Sequence, residues 1–205
     1  MASIPPGPGP GRRRVPTADE RTAARQHLGI EGPYLAFLGT LEPRKNLGTL
    51  VRAHTAARRE DPSVPVLVLV GPAGWGDRWQ GSPPDPEDVV LAGYLADGDL
   101  HAVVAGAAAV CMPSHYEGFG LPVLEAMAAG RPVLASDIPA HREVGGDVPR
   151  FFTARAVDEL AALVLDVSQQ PPGADVRDRG RQRAAAATWT ACARATVSAY
   201  RRAVA

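Results

Sequence analysis

The segment PSHYEGFGLPVLEA at 113–126 carries the residue types best suited to chemistry. Gly118 and Gly120 allow the backbone to come close to a ligand, and Pro122 suits the first turn of a helix, where its missing N–H does no harm. The free N–H groups at the start of such a helix attract phosphate groups. The sequence therefore predicts a phosphate-binding turn at this segment.

Two glutamates, Glu117 and Glu125, lie in the same segment. A carboxylate beside a phosphate site would repel the phosphate unless it faced another part of the ligand. The hydroxyls of a ribose or a hexose are natural partners, because a carboxylate accepts hydrogen bonds from two neighbouring hydroxyls. Taken alone the two glutamates would be ordinary surface acids, but on this turn we expect them to face a ligand that carries both phosphate and sugar.

A second candidate is the basic pair Arg44 and Lys45, which follows an apolar run. Lys45 is the only lysine among the 22 basic residues, and its neighbour Asn46 is the only asparagine in the chain. Lys and Asn share adenine-rich codons, so their scarcity indicates a GC-rich genome, and their retention here indicates a specific role. We expect the basic pair to face an anion and Asn46 to cap the helix that follows it.

The elements that must position these residues are predicted by the apolar pattern. Short runs that are apolar on both faces indicate strands covered on two sides, as in a parallel sheet. These runs lie at 34–39, 65–71, 88–94, 108–114, 132–136 and 150–152. Helical spacing and capping signals predict helices near 17–29, 46–61, 97–107, 121–129, 139–145, 156–168 and 176–204. The predicted fold class is α/β, a single Rossmann-like open parallel sheet flanked by helices, with further C-terminal helices.

In such a sheet, ligands bind at the carboxyl ends of the strands. That rule selects the loops at 39–46, 71–76, 93–97, 113–121 and 136–140, and the chemical candidates above fall on two of them.

The domain organisation follows from composition. Residues 1–16 are rich in Pro, Gly and Arg and predict a flexible arm, whereas 17–205 predict the folded domain.

Composition argues against several classes of function. The formal net charge is zero, which gives no electrostatic reason to bind nucleic acid or an anionic membrane. The apolar runs fall short of the roughly 20 residues that span a bilayer, so no integral membrane segment is expected. Cys111 and Cys192 are isolated, which favours reduced thiols in a cytoplasmic protein, and the five histidines lack metal-ligand spacing, so no metal site is expected.

Taken in order, these segments resemble family 4 of the retaining glycosyltransferases, which have the GT-B fold. Glu117 and Glu125 form the E-x7-E pattern of that family in EGFGLPVLE. Five further segments are similar to the family's segments in the expected order: GTLEPRKNL at 39–47, VGPAGWG at 70–76, GYLADGDL at 93–100, ASDIPAHREVGGD at 135–147 and WTACARATVSAY at 189–200. The resemblance covers about residues 17 to 204.

The resemblance implies a role for each matching residue. Glu117 would lie beside the donor sugar, and Glu125 would hold the ribose hydroxyls of the nucleotide. Arg44 and Lys45 would contact the diphosphate and offset its charge as the nucleoside diphosphate leaves, which makes Glu117, Lys45 and Arg44 the catalytic candidates. The other donor-binding candidates are Gly39, Gly93, Tyr94, Leu95, Gly118, Phe119, Gly120 and Leu121. The family needs no metal or cofactor, and Thr40 stands where many relatives have an arginine.

Length limits what this chain could do alone. GT-B enzymes have two Rossmann-like domains, and the resemblance covers only the C-terminal, donor-binding one. It implies retaining transfer of a hexosyl group from a nucleoside diphosphate sugar to an acceptor hydroxyl, with an N-terminal acceptor domain, absent here, as the possible partner.

Other functions stay open. The main alternative is a non-catalytic nucleotide-sugar binding module or a split-enzyme subunit. A GT-B sugar-nucleotide epimerase is less favoured, and a dinucleotide dehydrogenase is weaker still because no GxGxxG follows the first strand. The sequence does not indicate the sugar, the base or the acceptor.

Overall fold

The computed structural model describes residues 15–79 and 81–203, and this part of the chain forms one six-stranded sheet. The strands are β1 (Tyr34–Leu38), β2 (Val66–Val70), β3 (Val89–Gly93), β4 (Ala109–Met112), β5 (Val133–Ser136) and β6 (Arg150–Phe152). Their order in the sheet is β3-β2-β1-β4-β5-β6, and every neighbouring pair is parallel. This is the Rossmann order, so the predicted fold class is confirmed.

Eight α-helices accompany the sheet within the described residues. They are α1 (Ala18–His27), α2 (Leu47–Glu60), α3 (Asp97–Gly106), α4 (Leu121–Ala128), α5 (Pro139–Gly145), α6 (Val157–Gln169), α7 (Ala174–Ala186) and α8 (Trp189–Ala203). Helix α2 packs against α6, α1 packs against α3, and α4 packs against both α5 and α7. The arm predicted at 1–16 lies outside the described residues, except for its last two.

The start of the folded domain shows how local sequence sets these boundaries. The Thr17 hydroxyl accepts a hydrogen bond from the Glu20 N–H at 3.2 Å, and the Glu20 carboxylate accepts one from the Thr17 N–H at 2.7 Å. This reciprocal capping box satisfies two N–H groups that the first turn of α1 would otherwise leave unpaired.

The core runs through the two central strands. All five residues of β1 and all four of β4 are buried, as expected for strands that helices cover on both faces. The Tyr34 hydroxyl at the start of β1 donates to the Val103 carbonyl oxygen at 2.6 Å, and burial raises the pKa of Tyr34 to about 12. The polar end of this buried ring is therefore paired.

The direction of the chain changes between β1 and β4. From β1 it proceeds outward to β2 and β3, and from β4 it proceeds the other way to β5 and β6. The strand order thus reverses at the carboxyl ends of β1 and β4, and an open α/β sheet binds its ligands at such a point. The basic pair and the glycine turn lie on the loops that follow these two strands.

Candidate functional site

The loops that follow β1 and β4 are joined by hydrogen bonds. The backbone N–H of His115 donates to the Arg44 carbonyl oxygen at 2.9 Å, and the Arg44 guanidinium donates to the Tyr116 carbonyl oxygen at 3.1 Å. A short 3-10 turn, Pro43–Lys45, brings the basic pair into this position. The two segments singled out by sequence therefore meet in the structure.

Glu117 is the centre of this meeting point. Its Oε1 accepts hydrogen bonds from Lys45 Nζ and from the Ser114 hydroxyl, each at 2.6 Å, and its Oε2 accepts one from Arg44 Nη1 at 2.9 Å. The side chains of Glu117 and Lys45 are each only 7% exposed. The sequence-predicted catalytic candidates thus form one connected ionic cluster.

The environment of Glu117 favours its ionised form. Burial by itself raises the pKa of the Glu117 carboxyl, but the hydrogen bonds from Lys45, Ser114 and Arg44 and the charge of Lys45 outweigh it, and the pKa lies below its ordinary value. At neutral pH this buried carboxylate is therefore negative and paired.

Arg44 lies between two carboxylates. Its Nε is 2.7 Å from Glu42 Oε1, and its Nη1 is 2.9 Å from Glu117 Oε2. Partial burial works to lower the pKa of Arg44, but Glu117 and Glu42 raise it above its ordinary value. Glu42 is a further member of the site that was not predicted, because its only signal in the sequence is an acid two residues before a candidate arginine.

The charges of the cluster cancel. Two cations, Arg44 and Lys45, face two carboxylates, Glu42 and Glu117, at ion-pairing distance. An anionic ligand that binds the cations must share them with these carboxylates, and the half-exposed Arg44 is the accessible member, with 42% of its side chain open to solvent.

Gly39 gives the lysine its place. Its φ is +137°, and a Cβ added there would lie 3.3 Å from Lys45 Cε and 3.4 Å from Lys45 Nζ. The absence of a side chain lets Lys45 lie across the carboxyl end of β1. Gly39 therefore belongs to the site through the backbone space that it leaves open.

Asn46 corrects one expectation. It occupies the position before α2, but its side chain makes no capping hydrogen bond. Its Nδ2 instead donates to the Pro113 carbonyl oxygen at 3.0 Å and to the Ala154 carbonyl oxygen at 2.5 Å. Asn46 is the only non-glycine residue of the described chain with a positive φ, at +57°, which Asn tolerates better than most residues. The prediction of a side-chain cap was wrong: Asn46 ties three loops together.

The glycine turn leads into α4 as the sequence predicts. Gly120 has a φ of +91° and directly precedes the helix, and Pro122 lies in its first turn. The backbone N–H groups of Gly118, Phe119, Gly120 and Leu121 donate to no other residue that the structure describes. These donors are therefore available to an anion.

The remaining candidates lie farther from this cluster. Glu125 is half-buried, about one turn into α4. Gly93 is the last residue of β3, and Tyr94 and Leu95 follow it. This strand lies two strand spacings, about 10 Å, from β1. These residues share the carboxyl edge of the sheet with the cluster, and the Tyr94 side chain is 78% exposed.

A set of buried polar residues was missed at the sequence level. The Ser136 hydroxyl donates to the Ser114 carbonyl oxygen at 2.6 Å, and His141 Nδ1 lies 3.0 Å from the Ser136 carbonyl oxygen. Ser114, Ser136 and His141 are each 0% exposed. The loop at 136–140 was selected by its place after a strand and by the resemblance of the segment at 135–147, but neither of these signals the contacts of Ser114, Ser136 and His141.

Other kinds of site are absent from, or inactive in, the part of the chain that the structure describes. The described residues contain no group of three or more His, Cys, Asp or Glu side chains arranged to hold a metal ion. Burial raises the pKa of the Cys111 thiol to about 12, so this thiol stays protonated. None of the described helices is both long and apolar enough to cross a membrane.

Most of the chain matches a known protein family. Residues 32–170 match the family described as "Glycosyl transferases group 1". The O-antigen chain mannosyltransferase B of Escherichia coli is 35% identical over 173 residues, which cover 82% of this chain and 45% of that protein.

Two solved structures are similar over nearly the whole chain. Sucrose-phosphate synthase from Thermosynechococcus elongatus is 25% identical with a TM-score of 0.76, covering 98% of this chain and 52% of that one. HepE from Anabaena, in complex with UDP and glucose, is 19% identical with a TM-score of 0.77, covering 95% of this chain and 55% of that one. This chain spans about half the length of the relatives that it matches.

Proposed function

Because this chain belongs to the family of group 1 glycosyl transferases, we propose that it binds a nucleoside diphosphate sugar and forms the donor half of a hexosyltransferase. One observation carries the proposal. The buried ion pair of Lys45 and Glu117, with Arg44 beside it, lies at the carboxyl ends of β1 and β4, where an open α/β sheet binds its ligand.

The diphosphate is assigned to the basic pair and the glycine turn. Arg44 and Lys45 supply two positive charges, and the backbone N–H groups of Gly118–Leu121 supply neutral donors at the start of α4. When the bond to the sugar breaks, negative charge grows on the leaving diphosphate. Preorganised donors aimed at that charge lower the barrier without a metal ion.

The sugar is assigned to Glu117. In the structure this carboxylate accepts three hydrogen bonds, from Lys45, Ser114 and Arg44. A diphosphate that draws Arg44 toward itself releases Oε2 to accept a hydrogen bond from a sugar hydroxyl, while Lys45 and Ser114 continue to fix Oε1. Glu117 then positions the hexose and carries negative charge near the reacting carbon.

The nucleoside is assigned to the neighbouring part of the same edge. Glu125 in α4 holds the ribose hydroxyls, and the backbone at Gly93–Leu95 frames the base. These two assignments are supported by the order of the sequence segments and by the common edge of the sheet on which the residues lie.

The reaction of the whole protein extends the proposal. Transfer occurs with retention to an acceptor hydroxyl, and a second domain, which corresponds to the other half of the relatives, supplies the acceptor site. The buried, unpaired Cys111 supports a reducing, cytoplasmic location.

A second candidate function is a nucleotide-sugar binding module without catalysis of its own. Both candidates predict donor binding, and they differ in turnover.

Calorimetric titration with UDP- and GDP-hexoses tests the shared claim. We expect one of these donors to bind the native chain and Glu125→Ala to weaken it about tenfold, through the lost ribose contacts. Failure of every donor to bind the native chain would overturn the proposal. Release of free hexose from the bound donor by this chain, abolished in Lys45→Met, would favour the enzyme, and binding without release would favour the module.

A further inference from the structure

His141 lies in α5, directly behind the glycine turn, and is completely buried. Its Nδ1 lies 3.0 Å from the Ser136 carbonyl oxygen and 3.2 Å from the Ser136 hydroxyl oxygen. That hydroxyl donates its one hydrogen to the Ser114 carbonyl oxygen at 2.6 Å. The hydroxyl oxygen therefore has no hydrogen left for the ring.

The hydrogen-bond inventory fixes the tautomer of His141. Both neighbours of Nδ1 can only accept, so Nδ1 must carry a proton and donate. Burial disfavours the imidazolium, and although the Ser136 carbonyl and Glu117 work in the opposite direction, the pKa of His141 lies below its ordinary value. The ring is thus neutral at pH 7, with a lone pair on Nε2.

The other edge of the ring faces the glycine turn. A Cβ added to Gly120 would lie 3.2 Å from His141 Cδ2, closer than ordinary side-chain contacts. Nε2, the atom bonded to Cδ2, is buried and has no hydrogen-bond partner among the described residues. An apolar side chain would fill this place at lower cost, because a buried acceptor without a hydrogen bond costs about 1–3 kcal/mol.

The ring of His141 contacts both the residues that support Glu117 and the glycine turn. On one side, Ser136 joins His141 to Ser114, whose hydroxyl donates to Glu117. On the other side, the ring edge limits how far the backbone of Gly120 can move inward. The His141 side chain thus lies between Ser136, which is linked through Ser114 to Glu117, and the turn whose N–H groups are unpaired within the described residues.

We propose that His141 is a positioning residue, whose neutral ring, fixed by Ser136, holds Gly120 so that the N–H groups of the turn face the diphosphate of the donor. This inference rests on the proposed function, since it assigns the diphosphate to that turn. His141 itself touches no ligand in this account.

A positioning role differs from a purely structural one in its effect on ligands. A core histidine that only fills space affects the free energy of unfolding and all ligands alike. A residue that aims the turn affects the second phosphate selectively. The informative quantity is the ratio of the dissociation constant of a nucleoside monophosphate to that of the diphosphate with the same base.

The experiment uses His141→Asn. The Nδ2 of Asn can replace Nδ1 as donor to the Ser136 carbonyl, but the ring edge beneath Gly120 is lost. Affinities for UMP and UDP, and for GMP and GDP, are measured by calorimetry, with thermal unfolding as the record of stability. Val167→Ala in the buried face of α6 is the matched control, because it removes core packing at a distance from the turn.

We expect His141→Asn to reduce the monophosphate-to-diphosphate ratio about tenfold while the monophosphate affinity changes less than about twofold. Val167→Ala should lower the unfolding temperature and leave the ratio unchanged. If His141→Asn does not fold, Ser136→Ala decides, because it frees the ring from its hydroxyl partner and should reduce the ratio about threefold.

The outcomes distinguish a failure of the positioning role from a failure of the proposed function. An unchanged ratio in His141→Asn, or in Ser136→Ala where that variant decides, overturns the positioning role and leaves the proposed function standing. Failure of the native chain to bind any of the four nucleotides overturns the proposed function, and the positioning role falls with it.

Discussion

Lys45 Nζ lies 2.6 Å from Glu117 Oε1, and the two side chains, 72 positions apart in the chain, are each only 7% exposed. The single lysine of the protein is thus buried against a carboxylate on the loop that follows β4. This pair joins the loops that follow β1 and β4, and it places a cation where a diphosphate is proposed to bind.

Breaking this pair should destabilise the fold. We expect Lys45→Met to reduce the free energy of unfolding by about 2–4 kcal/mol, because it leaves a buried carboxylate with fewer partners. In a double-mutant cycle with Glu117→Gln, the coupling energy should exceed about 1 kcal/mol. Urea denaturation measures the free energy of unfolding of the single and double variants. If the losses in the two single variants add up to the loss in the double variant, the pair is not coupled.

Two substitutions at Asn46 separate the effect of its positive φ from the effect of its side-chain hydrogen bonds. Asn46→Gly keeps access to the positive φ but removes the hydrogen bonds to the Pro113 and Ala154 carbonyls, whereas Asn46→Ala loses both. We expect Asn46→Ala to be less stable than Asn46→Gly by about 1 kcal/mol. Equal stability of the two variants in urea denaturation would contradict this account.

The pH dependence of stability follows from the buried histidines. Burial lowers the pKa of both His54 and His141, so the unfolded chain binds more protons below about pH 6.5. The free energy of unfolding should therefore fall between about pH 6.5 and 5. His141→Asn should make this decline shallower.

Glu117 acts in a lower pH range. Because its pKa is lowered in the fold, it contributes stability above about pH 4.3 that is lost as the pH falls further. Denaturation curves collected across both ranges measure the two effects, and a flat profile from pH 7 to 5 would contradict the histidine assignment.

Glu42 competes with a bound anion for Arg44. Its Oε1 lies 2.7 Å from Arg44 Nε, so Glu42→Gln removes a negative charge next to the accessible cation. We expect the affinity for a nucleoside diphosphate to rise about threefold at low salt and less at high salt. Glu60→Gln, exposed at the end of α2, is the control. Weaker binding in Glu42→Gln would instead show that Glu42 is needed to orient Arg44.

The fold was accessible from sequence because strands such as β1 and β2 are apolar on both faces. Runs such as YLAFL and VLVLV have no polar alternation, which predicts strands buried between helices, and each observed strand lies inside its predicted range. The rule that ligands bind at strand ends selected the loops after β1 and β4 among five candidate loops, but it did not predict that these two loops meet.

The details of pairing were not accessible from sequence. The position of Asn46 before a helix predicts a cap, but the competing carbonyls of Pro113 and Ala154 come from segments distant in the chain. The ring of His141 likewise comes to lie against Gly120 only when α5 packs beside α4. Contacts of this kind depend on three-dimensional packing, and local spacing contains no signal for them.

The most direct test of the account is the contribution of Lys45 to diphosphate recognition. Calorimetry should show that the native chain binds UDP or GDP at least about tenfold more tightly than the monophosphate with the same base, a difference of about 1.4 kcal/mol. Lys45→Met should lose this difference and keep its affinity for the monophosphate. A native chain without preference for the diphosphate, or a folded Lys45→Met variant that retains the full preference, would contradict the central claim.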